Sequence, residues 1–404
     1  MHGGVETKVK TGSACWGNIA VVPWYRCMVF FVALAVSGCQ LLGGARIQEL
    51  ATGSAKPGNV ATLVAVTEKD KPVSGLPPSA FKVSENDQNI DPETAKLQLL
   101  EPARYAAFHT VLLVDVSQAK DPAARKSLAK AAGAFVRRVR LGQPVTVVAY
   151  DGSDKVRVVG DYTAESKATA PEQVDGLVNQ TSSDPSRNLR GAVVQGLEIL
   201  DRHLASSPLP VRLGTLAVFA RGPDLAGRTP EATFKDELSS RTEKFVYIGV
   251  TGELADNVAK RLGESGQILA QSADTLPIAF EDAGALVDSL LDQYYLISYC
   301  SPARAGKRTL KVAVSVPLPE GKDETDSFSV AFDASGFTAG CDSLKVPPLE
   351  PRNSAKSGSA KPTTNSTSAT HKPSNYSTNS DRAPPKKADE EQEAPVPAKP
   401  GYAD

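Results

Sequence analysis

The sequence predicts an α/β fold: a doubly wound, mostly parallel sheet flanked by a small β-sandwich formed from N- and C-terminal strands. Three observations carry that expectation. Continuous apolar runs such as TVLLVDV (110–116) and VTVVAY (145–150) have the composition of parallel strands covered on both faces. Segments with apolar residues at helical spacing lie between such runs, so strand and helix alternate over residues 108–297. On either side of this unit the helical period is lost, and short alternating runs separated by turn residues remain. The chain has 404 residues, enough for one large or two modest domains. Its net charge of -1 gives no global reason to expect nucleic acid or an anionic membrane as partner.

In chain order, the first feature is the apolar run CMVFFVALAVSGC at 27–39. It is too short to span a bilayer but fits the h-region of a signal peptide. Its end, Val36-Ser37-Gly38-Cys39, resembles a bacterial lipobox, in which small residues admit the signal peptidase and the cysteine thiol is diacylated. That resemblance implies a leader over 1–38, lipidation at Cys39 and a lipid-anchored protein of the cell envelope. Gln40 after the cysteine points to the outer membrane of a Gram-negative bacterium. The competing reading is a buried hydrophobic helix with an incidental cysteine. By the same resemblance Cys15 and Cys27 leave with the leader, so Cys300 and Cys341 remain as an even pair in an exported compartment. Joined as a disulfide they close a loop of about 40 residues, worth roughly 4 kcal/mol in the chain-entropy model. The alternative is two free thiols.

Residues 39–58 read as a lipidated tether punctuated by Gly, Ser and Pro. Residues 59–107 hold the runs NVATLVAVTEKDKPVSGL, AFKVSENDQNI and AKLQLLEP, expected as strands around polar turns. Within 108–297, the helix DPAARKSLAKAAGAFVRRVR sets Leu128, Ala131, Phe135 and Val139 on one side. VTVVAY follows as a buried strand and VRVVGDY as a third strand, placed at an edge. NLRGAVVQGLEILDRHL aligns Leu189, Val193, Leu197, Leu200 and Leu204; LGTLAVFA and KFVYIGV are buried strands around the helical TPEATFKDELSS. AGALVDSLLDQYY closes the unit with Leu286, Leu290 and Tyr294 on one face. Strands return over 298–345, and from 346 to 404 a Ser, Thr, Lys, Pro and Asn composition predicts a disordered tail.

Three stretches carry a family resemblance. AFKVSENDQNI, HTVLLVDVSQA and YYLISYCSPARAGKRTLKVAVSV resemble, in this order, the pre-domain strand, the metal loop and the closing segment of bacterial von Willebrand factor A-related (VWA-like) lipoproteins. The resemblance implies a VWA- or Rossmann-like sheet with Mg²⁺ at the carboxyl ends of its strands. In that family an Asp and two Ser come from the first loop, a Thr from the second and an Asp from the third, and a partner carboxylate completes the metal shell.

Mapped position by position, the chain keeps Asp115 and Ser117, while Ala119 stands where the second serine belongs and offers no lone pair. Arg187 stands at the threonine position with Ser186 beside it, and Arg221 at the aspartate position with Gly222 keeping the turn. An arginine can neither deprotonate nor coordinate a metal. The expectation is therefore a degenerate metal site without cofactor, in which Arg221, aided by Arg187, replaces the cation by a charge-assisted fork on Asp115. The alternative shifts the loops by a residue or two, takes Ser186, Asp184 or Asp224 as substitutes, and gives a Mg²⁺-dependent adhesion module on Asp115 and Ser117. The blandest reading makes Asp115 and Ser117 a strand-end turn in an unrelated α/β domain.

No motif asks for catalysis, and the chain is expected not to be an enzyme. Of 4 histidines, His2 lies in the leader and His371 in the tail, while His109 and His203 lack a partnered nucleophile motif. Zincin, nucleophile-elbow and dinucleotide signatures are missing from the sequence, and ARAGKRT lacks the earlier glycine of a phosphate loop. The expected role is protein binding or scaffolding, with an envelope protein docking through Arg187, Arg221 and neighbouring loops. Neither nucleic acid nor a small-molecule substrate is indicated.

Overall fold

The computed structural model describes residues 44–352 apart from 166–171, 252–256, 319–320 and 322. The chain divides into compact units at 1–353 and 354–404, and the second lies outside the described residues. So do the predicted leader, Cys39 and the tail beyond Arg352. Among the described residues no helix is long and apolar enough to cross a membrane.

The strands are β1 (Ala45–Ala55), β2 (Asn59–Glu68), β3 (Phe81–Glu85), β4 (Gln98–Leu100) and β5 (Ala106–Asp115). Helix α1 (Pro122–Val139), β6 (Val145–Tyr150), β7 (Arg157–Tyr162), α2 (Leu189–Ser206), β8 (Val211–Phe219) and α3 (Glu231–Ser239) follow. Next come β9 (Lys244–Val250), β10 (Gly266–Ala270), α4 (Leu276–Ser289), β11 (Tyr294–Cys300), β12 (Lys307–Pro317) and β13 (Asp323–Asp333).

The α/β sheet has the order β10-β9-β8-β5-β6-β7, parallel except for β7, which runs antiparallel at the edge. The unbroken apolar run of β5 follows from its central place. Leu112 and Val114 pack towards α1 and α4, while Val111 and Leu113 pack towards α2 and α3, all fully buried. Burial of each such side chain stabilises the fold by roughly 1.5–3 kcal/mol. The helices begin where the sequence offers caps. Asp121 accepts the Ala124 N–H ahead of Pro122 in α1, and Asn188 accepts the Gly191 N–H in α2.

The sandwich joins strands from both ends of the described chain. One sheet runs β1-β2-β11-β4 and the other β13-β12-β3, so β2 meets β11 and β3 meets β12 across the intervening α/β unit. Ile47, Val64, Phe81, Tyr299, Val312 and Phe332 form its interior. The outer face of the first sheet sets Leu63, Leu296 and Tyr294 against Ala106 and Val211, at the amino ends of β5 and β8. The carboxyl ends of the parallel strands, with Asp115, therefore lie away from the sandwich.

Several boundaries differ from the sequence expectation. The stretch read as a tether is a strand from Ala45 onwards: its alternating ARIQE pattern pairs with β2, and the Gly and Ser that suggested a linker lie inside the strand. Gly53 is needed there, because a Cβ would stand 2.2 Å from the Pro348 carbonyl oxygen. Glu324 and Asp326 of β13 accept the N–H groups of Ala45 (2.6 Å) and Ile47 (2.9 Å), capping part of the open edge of β1. The expected tail begins too early: Leu349 is buried, and Glu350–Pro351 pair with β1. Tyr294 opens β11 rather than ending a helix, α4 starts earlier at Leu276, and residues 294–297 belong to the sandwich. Strand β10 was not foreseen, since GQILA is only five residues long and half-exposed at the sheet edge. Cys300 and Cys341 are disulfide-bonded, with Cα atoms 5.7 Å apart.

Candidate functional site

Three loops meet at the carboxyl end of the parallel strands, and each carries an Asp-x-Ser turn. After β5, Asp115 Oδ1 accepts both the N–H (2.9 Å) and the hydroxyl (2.6 Å) of Ser117. After β6, Asp151 Oδ1 accepts the Ser153 N–H at 2.9 Å, and its Oδ2 accepts the Ser183 N–H at 2.9 Å and hydroxyl at 3.2 Å. Ahead of α2, Asp184 Oδ1 accepts the N–H (2.9 Å) and the hydroxyl (2.6 Å) of Ser186. The aspartate closes a short ring with the backbone two residues on, which ends the strand and turns the chain.

Each of these carboxylates also faces an arginine. Arg187 Nε lies 2.7 Å from Asp115 Oδ2, Arg157 Nη2 lies 3.5 Å from Asp151 Oδ2, and Arg228 Nη2 lies 3.0 Å from Asp184 Oδ2. Arg228 further donates to the Gly152 carbonyl (2.6 Å) and to Asp154 (3.0 Å). Gly152 lets the Asp184 turn pack against the Asp151 loop, since a Cβ there would fall 2.1 Å from Ser186 Oγ.

The electrostatics follow the contacts. Burial pushes the Asp151 carboxyl up, but hydrogen bonds from Ser153 and Ser183 and the Arg157 charge outweigh it and bring it down to about 2. Hydrogen bonds from Ser186 and Arg228 hold Asp184 below the ordinary carboxylate range. Tyr150 is fully buried beside Asp115, which drives its phenol well above its usual value, and it donates to the Phe219 carbonyl at 3.1 Å.

Arg187 and Asp115 are the buried centre of the face, with side-chain exposures of 6% and 0%. Arg187 Nη1 donates to the Pro223 carbonyl (2.8 Å), and the Arg187 carbonyl accepts the N–H groups of Leu225 and Ala226. One residue thus ties the Asp115 loop to the loop after β8. Arg221 meets Asp115 through its backbone N–H, 3.1 Å from Oδ2. This corrects the sequence expectation twice: Arg187, not Arg221, sets its guanidinium on the carboxylate, and it does so through one nitrogen rather than a fork. The reason is reach. Arg221 follows the end of β8 closely enough for its main chain to touch Asp115, whereas Arg187 approaches from the neighbouring loop with a full side chain. Being buried, Arg187 is also unsuited to direct contact with a partner.

These residues do not fit Mg²⁺. A carboxylate has about four lone-pair sites, and on Asp115 they receive the Ser117 N–H, the Ser117 hydroxyl, Arg187 Nε and the Arg221 N–H. Ala119 contributes a methyl, and a cation would meet the buried guanidinium. The suggested substitutes do not turn to this point: Ser186 and Asp184 engage each other, while Asp224 accepts the N–H groups of Arg190 and Gly227 at 2.8 Å each. Beside Asp115 lies a dimple of about 70 Å³, walled by Ala119, Leu128, Phe219 and Leu276, with Gln118 and Arg221 at its lip.

Asp151, Ser153, Ser183, Arg157 and Arg228 were not singled out from the sequence. Recurrence of Asp-x-Ser in YDGSD and SSDPS, each near a strand end or helix start, is the signal that would have found the acids and serines. Their arginine partners carry no such local mark.

No family model and no curated protein sequence matches the chain. Among solved structures, a von Willebrand factor type A protein from Catenulispora acidiphila aligns at 11% identity over 74% of this chain and 74% of its own, with TM-score 0.37. Manganese-loaded TRAP protein of Plasmodium vivax aligns at 8% identity over 60% of this chain and 98% of its own, with TM-score 0.36. The PilB minor pilin from Streptococcus sanguinis aligns at 11% identity over 61% and 79%, with TM-score 0.31. Likeness at this level carries no argument about function.

Proposed function

We propose that the chain is a lipid-anchored protein-binding or scaffolding module of the cell envelope, whose α/β domain recognises its partner without a bridging metal. The observation that supports this most is the buried contact of Arg187 Nε with Asp115 Oδ2 at 2.7 Å, at the point where a metal-dependent relative would hold its cation. The guanidinium supplies the positive charge permanently and from within the chain, so the loops are pre-organised whether or not divalent cations are present. A partner then meets a rigid loop rim and the apolar dimple beside Ala119. The leader, the lipobox-like Val36-Ser37-Gly38-Cys39 and the VWA-like motifs support the envelope setting.

A pull-down from native envelopes with the full chain as bait, with and without EDTA, tests the reading. Partners retained in EDTA and lost on Gln118→Trp, which blocks the exposed lip of the dimple, are the expected result. Capture that requires Mg²⁺ makes the protein a metal-dependent adhesion module and overturns the proposal.

A further inference from the structure

Towards the amino ends of the parallel strands, opposite the Asp-x-Ser loops, side chains from three strands and a helix converge on one hydroxyl. Thr146 of β6 donates to Asp161 Oδ1 of β7 at 2.6 Å. His109 Nε2 of β5 lies 2.9 Å from the same hydroxyl, and His203 Nε2 of α2 lies 3.2 Å from it. The two imidazoles stack, with centroids 4.3 Å apart and planes 8° from parallel. A hydroxyl has one proton and two lone pairs. With the proton committed to Asp161, both histidines donate Nε2–H to Thr146, which fixes their orientation. Burial, with the His203 ring alongside, brings His109 down to about 4 and keeps it uncharged near neutrality.

This cluster walls a cavity of about 420 Å³, within the usual range for small-molecule sites. Most of the remaining lining is apolar, including Ala107, Phe108, Val145, Leu204 and Leu209. Among the described lining residues Asp161 is the one carboxylate and none is Lys or Arg, while the Arg140 guanidinium lies behind the lining and donates to the Thr163 carbonyl at 3.2 Å. Its side chain is 60% exposed, so the charge faces an approaching ligand while Oδ1 stays with Thr146. The chemistry is that of a pocket selective for an apolar body carrying one positive charge. His109 precedes Asp115 by six residues on β5, which places the cavity about 20 Å from the Asp-x-Ser loops at roughly 3.3 Å per residue.

We propose that this cavity is a second binding site, taking a small amphipathic amine with its apolar body against Phe108, Val145 and Leu209 and its ammonium on Asp161.

Histidine ring NMR tests this on the full chain. Single His109→Gln and His203→Gln variants assign the two signals. The probes are 2-phenylethylamine, 3-phenylpropanoate and 2-phenylethanol, matched in shape and differing in charge. The amine is expected to move both His109 and His203 resonances saturably, and the carboxylate to leave them in place. Asp161→Asn, whose amide oxygen still accepts from Thr146, is expected to weaken the amine about fivefold while leaving 2-phenylethanol unaffected. Ser206→Phe, which fills the exposed mouth, removes binding without altering thermal stability. No saturable shift with the amine, equal binding of all three probes, or undiminished amine binding by Asp161→Asn overturns the proposal.

Discussion

Arg187 Nε stands 2.7 Å from Asp115 Oδ2, with both side chains withdrawn from solvent. The same guanidinium holds the Pro223 carbonyl, so one buried cation joins the Asp115 turn to the loop that follows β8. The exchange has an energetic signature. A permanent internal charge makes the loops independent of ionic conditions, but removing it leaves a carboxylate buried without a counter-charge.

Arg187→Ala should therefore destabilise the protein by about 3–5 kcal/mol, well above an ordinary surface arginine. The double change Asp115→Asn with Arg187→Met should regain part of that loss, because the amide oxygen still accepts from Ser117 while no uncompensated charge stays buried. Urea unfolding of the two variants measures both values. A loss below about 1 kcal/mol for Arg187→Ala would mark the pair as a solvated contact.

Metal binding should be recoverable. Combining Ala119→Ser, Arg187→Thr and Arg221→Asp supplies the missing oxygen donors and removes the competing cation. Calorimetric titration of this triple variant should show Mn²⁺ or Mg²⁺ binding that Asp115→Ala removes. Continued indifference to metal would show that the loop backbone itself has departed from a coordinating geometry.

Stability should also depend on pH through His109. Its folded value is depressed to about 4 by burial and by His203, with Asp161 opposing, while an unfolded histidine titrates near 6.5. The unfolded chain then binds the extra proton first. Stability contributed by neutral His109 is complete above pH about 6.5 and is lost as pH falls towards 4, on the order of 2–3 kcal/mol. Thermal unfolding across this window should slope downwards with acid in the wild type and be flatter in His109→Gln. Parallel curves would exclude His109 as the source.

The Cys300–Cys341 bond closes a separation of 41 residues and ties the segment before Glu350–Pro351 to the end of β11. Replacing both cysteines by serine should cost roughly 2–4 kcal/mol, seen as a lower Tm. An unchanged Tm would place the bond outside the cooperative unfolding unit.

How much of this was legible in the sequence depends on the range of the interactions. The unbroken run TVLLVDV identifies a central parallel strand because both of its faces must be apolar, and Leu112 and Leu113 do pack on opposite sides. Asp115 and Ser117 are marked by their place at the strand end. The roles of Arg187 and Arg221 were interchanged because motif position fixes the backbone and not the direction or reach of a long side chain. Strand β1 was hidden for a related reason: Gly53 reads as a linker residue until the close approach of Pro348 is known. The His109–Thr146–His203–Asp161 cluster was invisible, since its members come from four separate elements between His109 and His203 and share no local pattern.

The central claim, that Arg187 holds Asp115 and leaves no place there for a metal, is tested most directly by calorimetric titration of the full wild-type chain with Mg²⁺ and Mn²⁺. The account predicts no saturable heat up to millimolar metal. A saturable site at millimolar or tighter concentration that disappears in Asp115→Ala would contradict it.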